Sequence, residues 1–262
     1  MKKKVTEKYT FEKIIDFHYW IPGKLITLYV TRNKDYTFQP GQFARIGIPN
    51  FHGDLNNHEI LWRAYSIVNA PYDSYFEFYI IIIPSGKFSQ KLVKLRPKDN
   101  LYVEKQSYGF LTLNEFIGGD TLWLIATGTG LSSYISILHD SKTWMQFKHV
   151  ILIHGTREIK ELTYLHKIEK WKNLISENNR FKYVPITTRE SIAGIPQKRI
   201  TTLLNEGILE KLVGKDLDPT SSRVMLCGNP NFIIEARKLL SVRGFSTGRR
   251  GNYGNLAIER YW

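Results

Sequence analysis

The pattern of apolar positions changes in kind near the middle of the chain. Before about residue 115, short runs rich in β-branched and aromatic residues are separated by turns that contain proline or glycine. Such runs are typical of strands, and they predict strands over Lys24–Arg32, Gln42–Ile48, Arg63–Asn69, Phe76–Ile83 and Asn100–Lys105. One short helix is predicted over Phe88–Leu95. Strands at this spacing, with so little helix, predict a small antiparallel β-barrel.

After this point, apolar runs typical of buried strands alternate with segments of helical spacing. Strands are predicted over Thr121–Ala126, His149–His154, Phe181–Thr187 and Val224–Cys227. Helices are predicted over Leu131–His139, Leu162–Trp171, Arg199–Gly207 and Phe232–Leu240. The alternation predicts a parallel, Rossmann-like α/β sheet with helices on both faces. The change of pattern within Asn114–Asp120 divides the chain into predicted domains of residues 1–115 and 116–262.

Composition indicates the cellular compartment and excludes some classes of protein. The chain has 262 residues, 42% of them hydrophobic, which suffices for two domains with a core each. The single cysteine excludes an internal disulfide and a paired-cysteine metal site. Polar residues follow the basic first residues, and apolar runs stay far below the roughly 20 residues that span a bilayer. We therefore expect a soluble, cytoplasmic protein without a membrane span.

The charge balance indicates an acidic partner. The chain carries 37 Lys and Arg against 24 Asp and Glu, a formal net charge of +13. Nucleic acid, a membrane surface and an acidic protein are all compatible with this charge. The basic residues are spread widely, without the blocks typical of a nucleic-acid-binding arm. The histidines show no metal-ligand spacing, and no G-x-S-x-G motif is present.

The predicted strand that begins at Arg63 carries chemistry suited to a flavin. In a strand, Arg63 and Tyr65 point one way while Ala64 and Ser66 point the other. A guanidinium can hold a diphosphate with forked hydrogen bonds, and a phenol can lie flat on a conjugated ring. The alternative is an ordinary barrel strand with one exposed arginine.

A glycine-rich turn, residues 127–133, follows the first strand of the second domain. Gly128 and Gly130 would let the backbone approach a pyrophosphate, and the following helix would offer its N–H groups. Ser133 stands where the third glycine of G-x-G-x-x-G is expected. The alternative is a glycine turn that only packs helix against strand.

Arginines follow two strands of the predicted parallel sheet. The second strand ends with Thr156 and Arg157, and the third is followed by Thr188 and Arg189. An arginine at this edge suits the 2′-phosphate of NADP, whereas NAD calls for an acid. Glu158 is adjacent, and each arginine alone is also typical of a solvated surface. The pair favours NADP.

Five motifs in register resemble the ferredoxin-NADP reductase superfamily. Arg63–Ser66 resembles its R-x-Y-S flavin motif and Gly86–Ser89 its G-x-x-S turn. Gly128–Gly130 is similar to its G-T-G loop and Cys227–Pro230 to its C-G-x-P motif. Ala257–Trp262 resembles the aromatic-ended tail of the bacterial ferredoxin (flavodoxin)-NADP reductases. The resemblance covers nearly the whole chain.

The resemblance implies that the first domain binds FAD. The residues expected to contact it there are Arg63, Ala64, Tyr65, Ser66, Tyr79, Ile80, Ile81, Lys87, Phe88 and Ser89. Arg63 and Ser89 would hold the diphosphate, with Lys87 and Phe88 adding backbone contacts. Tyr65 would stack on the isoalloxazine ring, and Ser66 would hydrogen-bond near its N5. The backbone of residues 79–81 would lie on the adenosine side.

Three residues of the second domain are also implied beside the flavin. Thr129 would lie close to it, and Tyr261 and Trp262 would cover the flavin and its adenine, so the tail is expected to return to the flavin. Without the resemblance, the aromatic end of the chain is simply a packed terminus.

For NADP(H), the resemblance implies a set of residues in the second domain. They are Thr156, Arg157, Thr188, Arg189, Arg199, Cys227, Gly228 and Asn229. The arginines would grip the 2′-phosphate, and Cys227 would border the nicotinamide. Glu259 would help to relay protons, so Ser66, Cys227 and Glu259 are the predicted catalytic residues. Without the resemblance, Cys227 is equally a small buried apolar residue.

The family usually carries a proline shortly after G-T-G, and Ser132 and Ser133 stand there instead. A helix N-terminus with two hydroxyl groups can still receive a phosphate, so we expect the turn to remain a nucleotide site.

The implied reaction is hydride transfer from NADPH to FAD N5, followed by single-electron steps to ferredoxin or flavodoxin. These carriers are acidic, so the basic chain would dock them transiently, and the bacterial relatives suggest a monomer. One alternative is an NAD(P)H-dependent flavin or oxygenase reductase of the same superfamily. A more distant alternative is a non-enzymatic basic binding module.

Overall fold

The computed structural model describes residues 8–50, 59–174, 180–248 and 252–261. Contacts between residues divide the chain into two compact units, Met1–Gly109 and Phe110–Trp262. We call them unit 1 and unit 2. The division follows Gly109, a few residues before the change of pattern in the sequence.

The described part of unit 1 forms a six-stranded sheet in the order β4-β3-β6-β1-β2-β5, and every strand pair in it is antiparallel. Its elements are β1 (Tyr9–Ile21), β2 (Leu25–Thr31), β3 (Phe43–Asn50), β4 (Glu59–Ser66), β5 (Tyr75–Ile81), α1 (Lys87–Leu92) and β6 (Asn100–Glu104). The two end strands also meet. Ile67 forms an antiparallel bridge with Phe78, and the Val68 N–H donates to the Glu77 carbonyl at 2.9 Å. The sheet therefore closes as a barrel, which confirms the predicted fold class of this half.

The first strand, β1, has no counterpart in the sequence prediction. Of its inward positions, Glu12 is 5% exposed and Ile14 is 2% exposed. The Glu12 carboxylate accepts hydrogen bonds from the Thr31 hydroxyl at 2.6 Å and the Asn33 N–H at 3.1 Å. A carboxylate in an inward position conceals the apolar alternation that identifies a strand. The sequence therefore predicts no strand before Lys24, and the structure adds β1.

Strand β4 begins and ends earlier than predicted. It pairs with β3 from Asn50 opposite Glu59 to Phe43 opposite Ser66, so this ladder fixes its bounds. Ile67 makes only the isolated bridge to Phe78. The barrel interior is filled by side chains that are fully buried, such as Leu28, Phe76 and Val103.

Unit 2 contains a five-stranded sheet in the order β11-β10-β7-β8-β9, and all its described pairs are parallel. Its strands are β7 (Thr121–Thr127), β8 (His149–Thr156), β9 (Phe181–Thr187), β10 (Ser222–Gly228) and β11 (Leu256–Arg260). Its helices are α2 (Leu131–His139), α3 (Ser141–Gln146), α4 (Leu165–Leu174), α5 (Ile200–Asn205), α6 (Ile208–Val213) and α7 (Pro230–Val242). The parallel α/β prediction is confirmed.

Both faces of this sheet are covered. Trp123 and Ile125 of β7 belong to a buried cluster that includes residues of α5, α6 and α7. Leu122 and Leu124 lie between them in sequence and are also fully buried, so they point to the other face. Helix α2 contacts β7 and β10. Strands buried on both faces read as continuous apolar runs, which is why the sequence identified them.

Three elements of unit 2 were absent from the prediction: α3, α6 and β11. Gly207, with φ of 65°, separates α5 from α6, and the sequence treated it as the end of helical structure. Strand β11 is five residues long and is defined by its pairing with β10, which lies far away in sequence. Among the described residues, the longest and most apolar helices still fall short of what crossing a bilayer requires.

Candidate functional site

In unit 1, the register of β4 against β3 places the flavin-type residues. Arg63 lies opposite Ile46, and Tyr65 lies opposite Ala44, so these four residues share one face of the sheet. The Tyr65 ring packs against the barrel core, while Arg63 is exposed and donates from Nη1 to the Trp62 carbonyl at 2.7 Å. Ala64 and Ser66 were predicted to point the other way. Ala64 is exposed, whereas Ser66 is buried, with only 4% of its surface exposed.

The R-x-Y-S and G-x-x-S motifs come together within unit 1. The rings of Tyr65 and Phe88 are 5.7 Å apart between centroids and tilted by 46°. Ser89 is buried, and its hydroxyl accepts the Ile83 N–H at 3.1 Å, which fixes the turn before α1. Gly86 immediately precedes α1, whose first residue, Lys87, is exposed. The strand and the turn therefore present a cation, a phenol and a hydroxyl from one region of unit 1.

The electrostatics of Tyr65 favour a neutral ring. Burial raises the pKa of its phenol, and the Arg63 guanidinium opposes this effect more weakly. The phenol therefore remains protonated at neutral pH, and its ring can stack without carrying a charge.

The residues predicted to act through their backbone lie on β5. Tyr79 and Ile80 are buried, Ile81 is partly buried, and the three pair with residues 25–27 of β2. Strand β5 leads within a few residues to the turn at Gly86. The structure thus places this segment where the sequence placed it, before the diphosphate-type turn.

In unit 2, residues 128–130 form a single turn of 3-10 helix between β7 and α2. Gly128 has φ of +54°, a conformation that side chains with a Cβ rarely adopt. A Cβ on Gly130 would collide with the backbone carbonyl of Cys227 on β10. Both glycines are therefore required, one by conformation and the other by close approach.

Hydrogen bonds from distant residues hold this turn. The Asn229 backbone N–H and its Nδ2 both donate to Thr127 Oγ1 at 3.2 Å. The Thr129 carbonyl accepts the Tyr261 hydroxyl at 3.1 Å. His154 Nε2 lies 3.0 Å from the Gly128 carbonyl oxygen. Three separate parts of unit 2 thus fix three consecutive residues.

The two serines after the turn do not act as expected. The Ser132 hydroxyl donates to the Thr129 carbonyl at 2.8 Å, and Ser133 Oγ lies 4.0 Å from Cys227 Sγ. Their residues are 1% and 0% exposed, so neither hydroxyl faces a ligand. The expectation that these hydroxyl groups receive a phosphate is wrong, because each is turned inward to satisfy the protein itself.

The C-G-x-P motif forms the end of β10 and the start of α7. Gly228 has φ of +150°, and a Cβ there would collide with the Thr127 side chain. The Asn229 side chain accepts the Phe232 N–H at 3.0 Å and so caps α7. The Gly228 carbonyl accepts the Tyr261 N–H at 3.0 Å, which ties the tail to this motif.

Cys227 and Glu259 are brought together by the pairing of β10 with β11. They occupy opposite positions in that ladder, and Cys227 Sγ lies 3.9 Å from Glu259 Oε1. Burial raises the pKa of the Cys227 thiol far above its usual value, and the adjacent carboxylate raises it further. The thiol is therefore a neutral donor toward Glu259.

The arginines follow the carboxyl ends of β8 and β9. The Arg189 N–H donates to the Arg157 carbonyl at 2.9 Å, so the two residues are direct neighbours. The Thr188 N–H and hydroxyl donate to the Thr156 carbonyl at 3.1 Å and 3.3 Å. Both arginine side chains are exposed, and neither takes part in the ion pairs found among the described residues. Two cations are thus presented side by side.

Arg199 reaches the same edge of the sheet. Arg199 immediately precedes α5. The side chain of the next residue, Ile200, packs closely on Gly155 of β8, and a Cβ added to Gly155 would lie 2.7 Å from Ile200 Cδ1. Glu158 is the acid beside Arg157 that, from the sequence, would also be compatible with NAD. It forms an ion pair with Lys160 at 2.9 Å. Glu161 and Glu190 also lie near this edge, where their carboxylates accept the backbone N–H groups of Arg157 and Ile159.

Comparison with known proteins identifies the family. Residues 124–238 match the family of oxidoreductase NAD-binding domains. The flavodoxin/ferredoxin-NADP reductase of Buchnera aphidicola subsp. Schizaphis graminum is 39% identical over 86% of this chain and 88% of its own length. The chain belongs to the flavodoxin/ferredoxin-NADP reductase family. The Escherichia coli (strain K12) reductase is 34% identical over 93% of this chain and 99% of its own.

A solved member of this reductase family has the same fold. The ferredoxin NADP+ reductase of Neisseria gonorrhoeae, whose structure holds FAD and NADP, is 31% identical, with a TM-score of 0.89. The alignment covers 97% of this chain and 99% of that one. The resemblance inferred from the motifs is confirmed, as is the two-part fold.

Trp262, predicted to cover the flavin of such a reductase, lies outside the described residues. Within the described ranges, no group of His, Cys, Asp and Glu is arranged to hold a metal ion. Sequence reasoning missed the roles of His154 and Thr127, which hold the turn, and the contact of Ser133 with Cys227. The sequence shows that His154 lies near a strand end, before Arg157. It does not show the hydrogen-bond partner of His154, the Gly128 carbonyl, which lies 26 residues away.

Proposed function

We propose that the protein is a flavoenzyme that transfers electrons between NADP(H) and a one-electron carrier, ferredoxin or flavodoxin. The observation that carries this proposal is that residues suited to a flavin come together in unit 1, while residues suited to a 2′-phosphate come together in unit 2. The first is the contact between Tyr65 and Phe88, and the second is the direct pairing of Arg157 with Arg189. Membership of the reductase family supports the same conclusion.

The residues of unit 1 fit FAD. Exposed Arg63 and the turn held by Ser89 would bind its diphosphate, with Lys87 and Phe88 adding backbone N–H groups. The neutral Tyr65 ring would stack on the isoalloxazine, and Ser66 would hydrogen-bond near N5. Bound FAD supplies the conversion between two-electron and one-electron transfer, which amino-acid side chains cannot perform.

The residues of unit 2 fit NADP(H) better than NAD(H). Arg157, Arg189 and Arg199 would bind the 2′-phosphate, with the Thr156 and Thr188 segments fixing the first two arginines. The turn at Gly128 and Gly130 lacks the side chains that would keep a diphosphate from the backbone. Gly228 and Asn229 border the same turn.

Cys227 and Glu259 would act as one unit beside the nicotinamide. The thiol stays protonated and faces the carboxylate, so Glu259 would hold or release a proton while Cys227 excludes water. Thr129, Tyr261 and Trp262 beside the flavin stay predictions. So do the division into an FAD domain of residues 1–115 and an NADP domain of residues 116–262, the cytoplasmic location, the monomeric state and the transient docking of an acidic carrier.

The test measures reduction of a carrier protein against reduction of free flavin. Purified holoenzyme, NADPH and either ferredoxin or flavodoxin are combined, and carrier reduction is followed spectroscopically under anaerobic conditions. We expect fast carrier reduction with NADPH and slow reduction with NADH. Faster reduction of free FMN or riboflavin than of either carrier would instead support the flavin-reductase alternative.

A further inference from the structure

His154 is a buried histidine in β8 that lies beneath the glycine turn. It is 0% exposed, and its Nε2 lies 3.0 Å from the Gly128 carbonyl oxygen. A carbonyl oxygen only accepts hydrogen bonds, so Nε2 must carry the proton. The other ring nitrogen, Nδ1, is buried without a hydrogen-bond partner among the described residues. The ring is therefore a single donor aimed at the turn.

The charge state of His154 supports this assignment. Burial lowers the pKa of the imidazole from 6.5 to about 4, although the bond to Gly128 and the Glu161 carboxylate act in the opposite direction. The ring is thus neutral near pH 7. A neutral imidazole with one partner holds one tautomer, and its position in a central strand of the sheet fixes the direction of the N–H.

The bond to Gly128 determines how the next peptide group is oriented. No cis peptide bond is present in the described chain, and in a trans peptide the C=O and the following N–H point in opposite directions. With the Gly128 oxygen held toward β8, the Thr129 N–H must point away from β8. Gly128 is exposed and Thr129 is partly exposed, so this outer side of the turn is accessible.

The tie from His154 differs from the others that reach the turn. Asn229 holds the Thr127 side chain, and Tyr261 holds the carbonyl of Thr129. The Gly128 carbonyl also accepts the Leu131 N–H, a local bond within the turn. In the described chain, His154 alone fixes the Gly128–Thr129 peptide from another strand.

We infer that His154 is a positioning residue for the nucleotide site: it orients the Gly128–Thr129 peptide so that the Thr129 N–H faces the diphosphate of NADP(H). This inference rests on the proposed function, because it takes the turn to be the diphosphate-binding element. His154 does not touch the nucleotide. It acts through a peptide group that is otherwise held by the local bond from the Leu131 N–H, in a glycine segment that permits several backbone conformations.

Three substitutions distinguish the hydrogen bond from His154 to Gly128 from the space that the imidazole ring fills. His154→Gln places an amide N–H close to the position of Nε2, whereas His154→Asn ends near the position of Nδ1 and falls short of Gly128. His154→Leu has no donor. Holoenzyme of each variant is titrated by calorimetry with NADP+ and, separately, with adenosine 2′-monophosphate, which carries the 2′-phosphate but no diphosphate.

We expect His154→Leu and His154→Asn to bind NADP+ roughly three- to tenfold more weakly, the equivalent of one hydrogen bond. His154→Gln should stay within about twofold of wild type because the donor is restored. All three variants should bind adenosine 2′-monophosphate as wild type does. NMR shifts of the ring nitrogens in wild type should show the proton on Nε2.

Several results would overturn the inference. Unchanged NADP+ binding in His154→Leu, equal weakening of both ligands, no difference between the Gln and Asn variants, or a proton on Nδ1 would each do so. If His154→Leu does not fold, the Gln and Asn pair and the NMR tautomer carry the test. Wild-type protein that binds neither ligand would overturn the proposed function itself, a distinct outcome from failure of the variants alone.

Discussion

The two units hold their candidate binding residues in different ways. In unit 1, Arg63 and Tyr65 are placed by the alternation of one strand, and Tyr65 meets Phe88 by ring packing. In unit 2, the glycine turn is held by hydrogen bonds that span 26, 102 and 132 residues of sequence. Strand alternation thus places Arg63 and Tyr65, whereas hydrogen bonds from distant residues hold the glycine turn. Changes in unit 2 should therefore affect stability and binding together, whereas changes in unit 1 can separate them.

The largest effect is expected at Gly130. The Cβ of Gly130→Ala would collide with the Cys227 carbonyl, and the backbone of β10 cannot retreat without disturbing its pairing with β7. We expect a loss of about 3 kcal/mol or more in the free energy of unfolding, measured by urea denaturation.

Gly128→Ala is the matched control for that prediction. A Cβ at Gly128 meets nothing within 4 Å, and only the positive φ of +54° opposes it. Its cost should be about 1 kcal/mol. If the two substitutions were equally costly, the close approach of the turn to β10 would not be what fixes unit 2.

A somewhat smaller effect is expected from the titration of His154. The pKa of His154 is about 4 in the folded chain against 6.5 when unfolded, so its contribution is present above pH 6.5 and is lost as pH falls toward 4. This loss amounts to about 3 kcal/mol at most. The free energy of unfolding is compared between wild type and His154→Gln across this range, so that the titration of groups common to both proteins cancels. A constant difference between them would contradict the buried, neutral state of His154.

The smallest effect on stability, with a selective effect on binding, is expected at Arg63. Its side chain is exposed and donates only to the Trp62 carbonyl among the described contacts. Arg63→Gln should leave the unfolding free energy within about 0.5 kcal/mol of wild type. It should weaken FAD binding by roughly tenfold, because a charged, forked donor is lost.

Arg96→Gln serves as the control for Arg63. Arg96 is also exposed, lies in unit 1, and donates to the nearby Val93 and Leu95 carbonyls. It should change neither quantity. Flavin titration of the apoprotein measures the affinity, and equal weakening by the two substitutions would attribute the effect of Arg63 to general charge.

The sequence predicted the parts of the structure that depend on local pattern. Strands β2, β3, β5 and β6 and the parallel strands β7 to β10 are apolar runs, and the pairing of Arg157 with Arg189 follows from parallel strands ending at one edge. The parts that escaped prediction depend on distant partners. Glu12 is buried in β1 because Thr31 and Asn33 satisfy it, and no local signal shows this.

The same reason explains what was missed in the candidate site. His154 reads as one more residue of an apolar strand until the Gly128 carbonyl is placed beside it. Ser132 and Ser133 read as phosphate ligands until the Thr129 carbonyl and Cys227 are seen to engage them. In both cases the residue type correctly indicates a side chain that forms hydrogen bonds. The identity of its partner depends on the tertiary structure.

An anaerobic absorbance titration of the purified protein with NADPH and, separately, NADH tests the proposed function most directly. We expect a flavin spectrum that is bleached at far lower concentrations of NADPH than of NADH, because the arginines that follow β8 and β9 recognise the 2′-phosphate. Equal bleaching by NADH would contradict the role of Arg157 and Arg189. A protein that shows no flavin spectrum even after addition of FAD would contradict the account as a whole.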